Sequence, residues 1–165
     1  MKMEISVAKK SDLKGINEIY NYYISKTAYT FDINQRTISE KNKWFDQFKN
    51  SKTSVCLVGY QNKDLVGFVC STKFREKEAY NKSLETSVYV SDKFKGRGYG
   101  QQLMAELIAR LSSTNIKNLY ALITYPNKPS INLHRALKYK KVGVLNDVGY
   151  KFNKYWSVHI YELKL

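Results

Sequence analysis

The stretch Glu85-Thr86-Ser87-Val88-Tyr89-Val90-Ser91-Asp92-Lys93-Phe94-Lys95-Gly96-Arg97-Gly98-Tyr99-Gly100 joins a strand-like segment to a glycine-rich turn and the start of a helix. Glycines let the backbone approach a ligand closely and permit positive φ angles. The first N–H groups of a helix have no partner within it, and together these features form a site for phosphate oxygens. Lys95 and Arg97 add positive charge at the same place. The stretch therefore predicts a phosphate-binding loop.

Two common phosphate-binding patterns do not fit this loop. A Rossmann dinucleotide site needs G-x-G-x-x-G near the first strand, whereas the glycines here follow G-x-G-x-G in the middle of the chain. A P-loop needs G-x-x-x-x-G-K-[ST], which the sequence lacks. On this segment alone, a glycine turn with a purely structural role is an open alternative.

Hydrophobic periodicity places the loop within a mixed order of strands and helices. The predicted strands are 4–9, 53–60, 65–74, 83–91, 119–125, 142–145 and 156–163. The predicted helices begin near Ser11, Ser39, Gly98 and Pro129. The order βααβββαβαββ, without a linker or a repeat, predicts one α/β domain over residues 1–165.

Composition and charge narrow the class of protein. The chain is 43% hydrophobic, which is enough apolar surface to form a core without disulfides or a metal. Its formal net charge of +14 favours phosphates on a nucleic acid, a membrane or a cofactor, although a lysine-rich composition without functional meaning explains it equally well. The sequence has no zinc-ligand spacing, helix-turn-helix signature or RNA-binding motif, so we expect no nucleic-acid partner.

Cysteines and apolar runs indicate the compartment. Cys56 and Cys70 lie in apolar strand-like runs and make no metal site, so we expect two buried, reduced thiols. No apolar run approaches the roughly 20 residues that span a bilayer, and no apolar signal segment follows Met1. We therefore expect a cytoplasmic protein without a membrane partner.

The loop and several other segments resemble one enzyme family. Lys95–Gly100 fits the pyrophosphate-loop pattern Arg/Gln-x-x-Gly-x-Gly/Ala of the GNAT acetyltransferases, with lysine in the first position. Other segments resemble the phosphinothricin N-acetyltransferase family over nearly the whole chain and in matching order. They are Thr27–Phe31, Ala79-Tyr80, Glu85–Val90, Pro126–His134 and Val148–Phe152.

This resemblance implies a fold and a cofactor. The fold would be the GNAT fold, a mixed, mostly antiparallel sheet splayed near its middle and flanked by about four helices, with acetyl-CoA in the split. Backbone groups of Val88, Tyr89 and Val90 would hold the pantetheine, and Asn127 and Ser130 would lie beside the cofactor. The residues implied at the pyrophosphate are Lys95, Gly96, Arg97, Gly98, Tyr99, Gly100 and Gln101. No metal is expected.

The resemblance also implies catalytic roles. Only an unprotonated amine attacks a thioester, so a general base must take a proton, and Glu85 matches the family's glutamate. We expect the Val90 backbone N–H to stabilise the oxyanion. His134 matches the family's histidine and would protonate the leaving thiolate. The alternatives are an ordinary strand carboxylate at Glu85 and a packing histidine at His134, and we assign no role to His159.

The acceptor implied is a small amine, an amino-acid analogue such as phosphinothricin or methionine sulfoximine, acetylated by direct transfer in a homodimer. Its carboxylate would lie near Arg75 and Lys77, with Phe31 and Tyr80 as apolar walls and Glu85 at the amine. Lys77 stands where the family has arginine, and Glu76 and Glu78 are alternative partners for the two cations. A different small amine, a protein N-terminus, or a CoA-binding scaffold without efficient catalysis are the other readings. Lys138, where the family has glycine, suggests a different helix C-cap.

Overall fold

In the computed structural model, which describes residues 3–165, seven strands form one sheet with α-helices on both faces. The strands are β1 (Glu4–Val7), β2 (Val55–Gln61), β3 (Asp64–Lys73), β4 (Ser83–Val90), β5 (Asn118–Tyr125), β6 (Lys140–Lys151) and β7 (Lys154–Lys164). The helices are α1 (Leu13–Lys26), α2 (Ile38–Phe45), α3 (Tyr99–Ser112) and α4 (Lys128–Ala136). The predicted order βααβββαβαββ is therefore confirmed.

The sheet splits between its two middle strands. The strand order is β1-β2-β3-β4-β5-β7-β6, and every neighbouring pair is antiparallel except β4 and β5, which are parallel. Those two strands pair only at their beginnings, the last pair being Glu85 with Tyr120. The Thr86 hydroxyl donates to the Tyr120 carbonyl oxygen at 3.2 Å, where the strands part. This confirms the mixed, mostly antiparallel sheet splayed near its middle.

Alternating residues of the sheet build a core on each face. Leu57 and Val69 face α3, whose Leu103 and Leu107 are fully buried against them. The residues adjacent to them in sequence, Val58 and Phe68, face the opposite side of the sheet and pack with Ile16 and Ile19 of α1. Cys56 and Cys70 are buried free thiols on this second face, as predicted.

The last hairpin is longer than the sequence predicts. Strands were expected over 142–145 and 156–163, but β6 and β7 extend to a two-residue turn at Phe152 and Asn153, each with a φ of 55°. Positive φ at both residues is the geometry of a tight type I′ hairpin. Among the 12 residues of β6 only Gly149 and Lys151 are buried, so the strand has no regular alternation for a sequence to reveal.

The tip of this hairpin fixes the loop that follows α1. The Lys151 ammonium donates to the Thr30 carbonyl oxygen at 2.9 Å. Gly149 lies so close to the Phe31 ring that a Cβ atom at this position would overlap it. These two contacts set the place of Phe31, one of the predicted acceptor-binding residues.

We predict that Gly149→Ala destabilises the protein by about 1–3 kcal/mol, because the added methyl group overpacks against Phe31. The free energy of urea unfolding measures this. The matched control is Gly143→Ala on the same strand, where a Cβ atom would meet Ile160 at an ordinary 3.5 Å. It should change stability by no more than about 0.5 kcal/mol. Equal effects from both variants would contradict the described packing.

Candidate active site

The gap between β4 and β5 opens into a cleft of about 760 Å³. Its walls come from the second half of β4, the glycine-rich loop, the start of α3, β5 and α4. The predicted cofactor residues that line it are Val88, Tyr89, Val90, Lys95, Gly96, Gly98, Tyr99, Gly100, Gln101, Asn127 and Ser130. Arg97 does not line it, although its guanidinium lies 5.7 Å from the ring centre of Phe94, which does. The structure thus brings the predicted cofactor residues together, with that one exception.

Backbone direction in β4 alternates between β3 and the cleft. The Ser91 N–H donates to the Val66 carbonyl oxygen at 2.8 Å, which makes these opposite residues a hydrogen-bonded pair. Hydrogen-bonded and non-bonded pairs alternate along an antiparallel ladder. The N–H groups of Val88 and Val90 therefore point into the cleft, as expected, whereas the Tyr89 backbone pairs with β3. The expectation that the Tyr89 backbone holds the pantetheine is therefore corrected, because that backbone is directed at β3, although the residue lines the cleft.

The glycine loop leaves the start of α3 open. Gly96 and Gly98 have φ angles of 75° and 77°, a region that costs other residues about 1–2 kcal/mol. A Cβ atom at either position would meet nothing within 4 Å. Gly98 precedes α3 directly, and no side chain caps the helix there. The first N–H groups of α3 are therefore free to meet an anion.

Glu85 is half-buried on the face of β4 that carries Ser87 and Tyr89. Burial raises the pKa of its carboxyl group above the ordinary value of 4.5, and the nearby Arg75 guanidinium partly offsets that rise. A carboxylate with a raised pKa binds a proton more readily than a solvated one. Glu85 is thus suited to act as a general base near neutral pH.

A cluster of aromatic rings begins at Tyr120, the residue that pairs with Glu85 across the sheet. Phe74 stacks on Tyr120 with ring centres 4.4 Å apart, and Tyr80 meets Phe74 edge-on at 5.9 Å. Arg75 lies over the Phe74 ring at 4.3 Å. The structure therefore brings Arg75 and Tyr80 to the neighbourhood of Glu85. Lys77 is exposed, and its side chain makes no hydrogen bond or ion pair within residues 3–165, so no side-chain contact holds it at the site.

His134 is buried in the wall of the cleft. Its Nδ1 lies 2.8 Å from the Ser130 carbonyl oxygen, and because a carbonyl only accepts, Nδ1 carries the proton and donates. Nε2 then bears a lone pair, and it has no hydrogen-bond partner in the described part of the chain. Burial lowers the pKa of the imidazole. His134 is therefore a neutral histidine whose free nitrogen accepts hydrogen bonds.

Tyr23 of α1 lines the cleft, although the sequence analysis did not name it as a site residue. Its hydroxyl donates to the Val90 carbonyl oxygen at 2.8 Å, and its ring meets that of Tyr89 at 5.1 Å. The contact joins residues 67 positions apart in the sequence. Helical spacing carries no signal for such a contact.

A second, smaller cavity of about 250 Å³ lies under α1 and α2, on the other side of β4. It shares Ser87 and Tyr89 with the cleft. Strand β4 thus forms a common wall between two cavities, and Glu85 stands two residues from that wall.

No group of three or more His, Cys, Asp or Glu side chains within residues 3–165 is arranged to hold a metal ion. None of the helices in that range has the length and apolar character needed to cross a membrane.

Known proteins share this arrangement. Residues 5–160 match the family model described as acetyltransferase (GNAT) domain. The chain is 33% identical to phosphinothricin N-acetyltransferase of Streptomyces coelicolor, over 99% of this chain and 96% of the relative. It is 28% identical to L-methionine sulfoximine/L-methionine sulfone acetyltransferase of Pseudomonas aeruginosa, over 100% and 96%. The structure of yncA from Salmonella typhimurium with its cofactor acetyl-CoA has a TM-score of 0.95 at 26% identity, covering 100% of this chain and 95% of that one.

The match to the family model extends over most of the chain, and the splayed sheet is the fold of the solved relatives. The protein therefore belongs to the GNAT acetyltransferase family and is an enzyme that uses acetyl-CoA.

Proposed function

We propose that this protein, acting as one acetyltransferase domain, transfers the acetyl group of acetyl-CoA directly to the primary amine of a small amino-acid-like acceptor. Relatives named for phosphinothricin and for methionine sulfoximine cover the full chain and support this class. The observation that carries the proposal is the shared wall at Ser87 and Tyr89, which allows donor and acceptor to be held together on either side of β4. Both free cysteines are reduced thiols, which suits the cytoplasm, where acetyl-CoA is available.

Backbone groups of the cleft would bind the acetyl donor, acetyl-CoA. The open N–H groups at the start of α3 would bind the pyrophosphate, with Gly96 and Gly98 allowing its close approach. Val88 would pair with the pantetheine as a neighbouring strand does. The Val90 N–H would then donate to the thioester oxygen and stabilise the negative charge that develops there. Tyr23 supports this role of Val90, because the Tyr23 hydroxyl already donates a hydrogen bond to the Val90 carbonyl oxygen.

The chemical step needs one proton acceptor. Glu85 would take the proton of the acceptor amine, directly or through water, while the new C–N bond forms and the C–S bond breaks to release CoA as its thiolate. Arg75 would hold the acceptor carboxylate beside it, and Lys77 is the second candidate for this contact. His134 would accept a hydrogen bond at Nε2, a role that its tautomer supports better than the predicted protonation of the thiolate.

We predict that Glu85→Gln lowers kcat by about 10²–10⁴-fold, because the amide keeps the size but accepts no proton. Release of CoA with phosphinothricin or methionine sulfone as acceptor measures this. Burial raises the pKa of Glu85 above 4.5, so wild-type activity should fall as the pH decreases towards that raised pKa and the base becomes protonated. The pH profile of the variant should lack this acid limb. The control is Glu78→Gln, which removes an exposed carboxylate on a nearby turn. Full activity of Glu85→Gln, or an unchanged acid limb, would place the base elsewhere.

We further propose that the protein is a homodimer joined through β6, which lies at one edge of the sheet. Large apolar side chains are exposed together on the last hairpin, and surfaces of this kind are typical of protein interfaces. They are Val142, Val144, Leu145, Val148, Tyr150, Phe152 and Tyr155. A second copy of the chain would cover this face.

Sedimentation equilibrium should give twice the chain mass of 19.3 kDa. Val148→Asp should yield a monomer, because it places a charge in the apolar interface. The matched control is Val7→Asp on the opposite edge of the sheet, where valine is 53% exposed against 55% for Val148. This control should stay dimeric. A wild-type protein that sediments as a single chain would refute the interface.

A further inference from the structure

Lys41 is a buried lysine whose ammonium group lies at the small cavity beside β4. The residue is only 3% exposed. Its Nζ lies 4.2 Å from the ring centre of Tyr20 and 4.3 Å from that of Trp44, and both rings line the same cavity. The faces of aromatic rings attract a cation and so hold the ammonium in the cavity wall.

No carboxylate neutralises this ammonium. Within residues 3–165, Lys41 forms no ion pair shorter than 4.0 Å and its Nζ makes no hydrogen bond. Asp32 lines the cavity but is bound by Arg36 at 2.8 and 3.0 Å and by the Tyr20 hydroxyl at 2.9 Å. Glu40 caps the start of its own helix. Both acidic side chains of the cavity wall therefore have other partners.

A cation in this position is costly for the fold. Burial costs an ammonium group much of its hydration, and two aromatic rings replace only part of what a carboxylate partner would supply. Burial lowers the pKa of Lys41 to about 8, so the ammonium form still prevails at pH 7. An apolar side chain of the same length would fill the space at less cost. The charge is therefore better explained by a ligand than by packing.

The cavity begins next to the candidate base. Glu85, Ser87 and Tyr89 alternate onto one face of β4, and Thr72 lies opposite Glu85 on β3. Thr72, Ser87 and Tyr89 line the cavity. Arg75 follows Thr72 beyond the end of β3, so it lies on the other side of Glu85 along the sheet.

We propose that Lys41 binds the anionic end of the acceptor side chain. This inference rests on the proposed function. The acceptor would extend from Arg75 at its α-carboxylate, past Glu85 at its amine, to Lys41. The preferred class would be α-amino acids with a short side chain that ends in an oxyanion, such as a carboxylate or a phosphinate. Lys41 would then determine which acceptor is used without taking part in the transfer.

The test compares two acceptors that differ at the end of the side chain. Phosphinothricin carries a phosphinate anion there, and methionine sulfone carries neutral oxygens. In a CoA-release assay, Lys41→Met should lower kcat/KM for phosphinothricin by about 10- to 100-fold, the cost of losing one hydrogen bond to a charged group. Methionine sulfone should be affected much less. If the enzyme acetylates only one of the two compounds, binding of the other is measured as competitive inhibition of that reaction.

Controls separate charge from folding. Lys43→Met removes an exposed lysine two residues away on the same helix and should leave both acceptors unchanged. Lys41→Met should melt no lower than the wild type, because it removes an unpaired buried charge. Lys41→Gln serves as a second neutral variant if methionine does not fold, and Lys41→Arg should keep the preference for phosphinothricin.

Two results would overturn the role of Lys41. One is an equal loss for both acceptors in the neutral variants, and the other is no loss for phosphinothricin. A wild-type enzyme that neither acetylates nor binds either compound would instead refute the proposed function. The two failures are therefore distinguishable.

Discussion

The loss of pairing between β4 and β5 after Glu85 is the constraint on which the site depends. Backbone N–H and C=O groups that lie inside a protein need partners. Beyond Glu85, Val88 and Val90 direct theirs into the gap. A molecule that enters the gap and pairs with them replaces the missing strand. The fold thus creates its binding site by leaving part of its own sheet incomplete.

Side-chain hydroxyl groups bond to backbone oxygen atoms at the edges of this gap. The Thr86 hydroxyl lies 3.2 Å from both the Tyr120 carbonyl oxygen and the Tyr139 hydroxyl, where the strands part. The hydroxyl of Tyr23, on helix α1, donates to the Val90 carbonyl oxygen. Under the proposed function the same strand would serve both substrates, because its edge faces the cleft and one of its faces carries Glu85. Glu85 is the last residue of β4 that pairs with β5, so a proton acceptor at this position would lie beside the opening.

The sequence predicted the element order and the glycine turn before α3 because both depend on local patterns. Alternation and helical spacing mark the buried strands and α3, and the glycines mark the turn before that helix. The β6–β7 hairpin was underestimated because β6 is exposed on both faces and its pattern is irregular. Lys138 was expected to change the helix C-cap, but it adopts the glycine-like φ of 70° itself.

Other parts of the site depend on contacts between distant segments. The direction of the Tyr89 backbone follows from the register with β3, and the role of Tyr23 follows from the packing of α1 on β4. The buried position of Lys41 follows from two rings, one of which belongs to another helix. Such features need the assembled sheet and helices, so residue order alone did not indicate them.

Hydrogen exchange at single amides tests the central claim most directly. If acetyl-CoA completes the sheet, its addition should slow exchange at Val88 and Val90, whose N–H groups face the gap. Exchange at Ser87 and Tyr89 should already be slow without it, because these amides pair with β3. Unchanged exchange at Val88 and Val90 in the presence of bound acetyl-CoA would contradict the account.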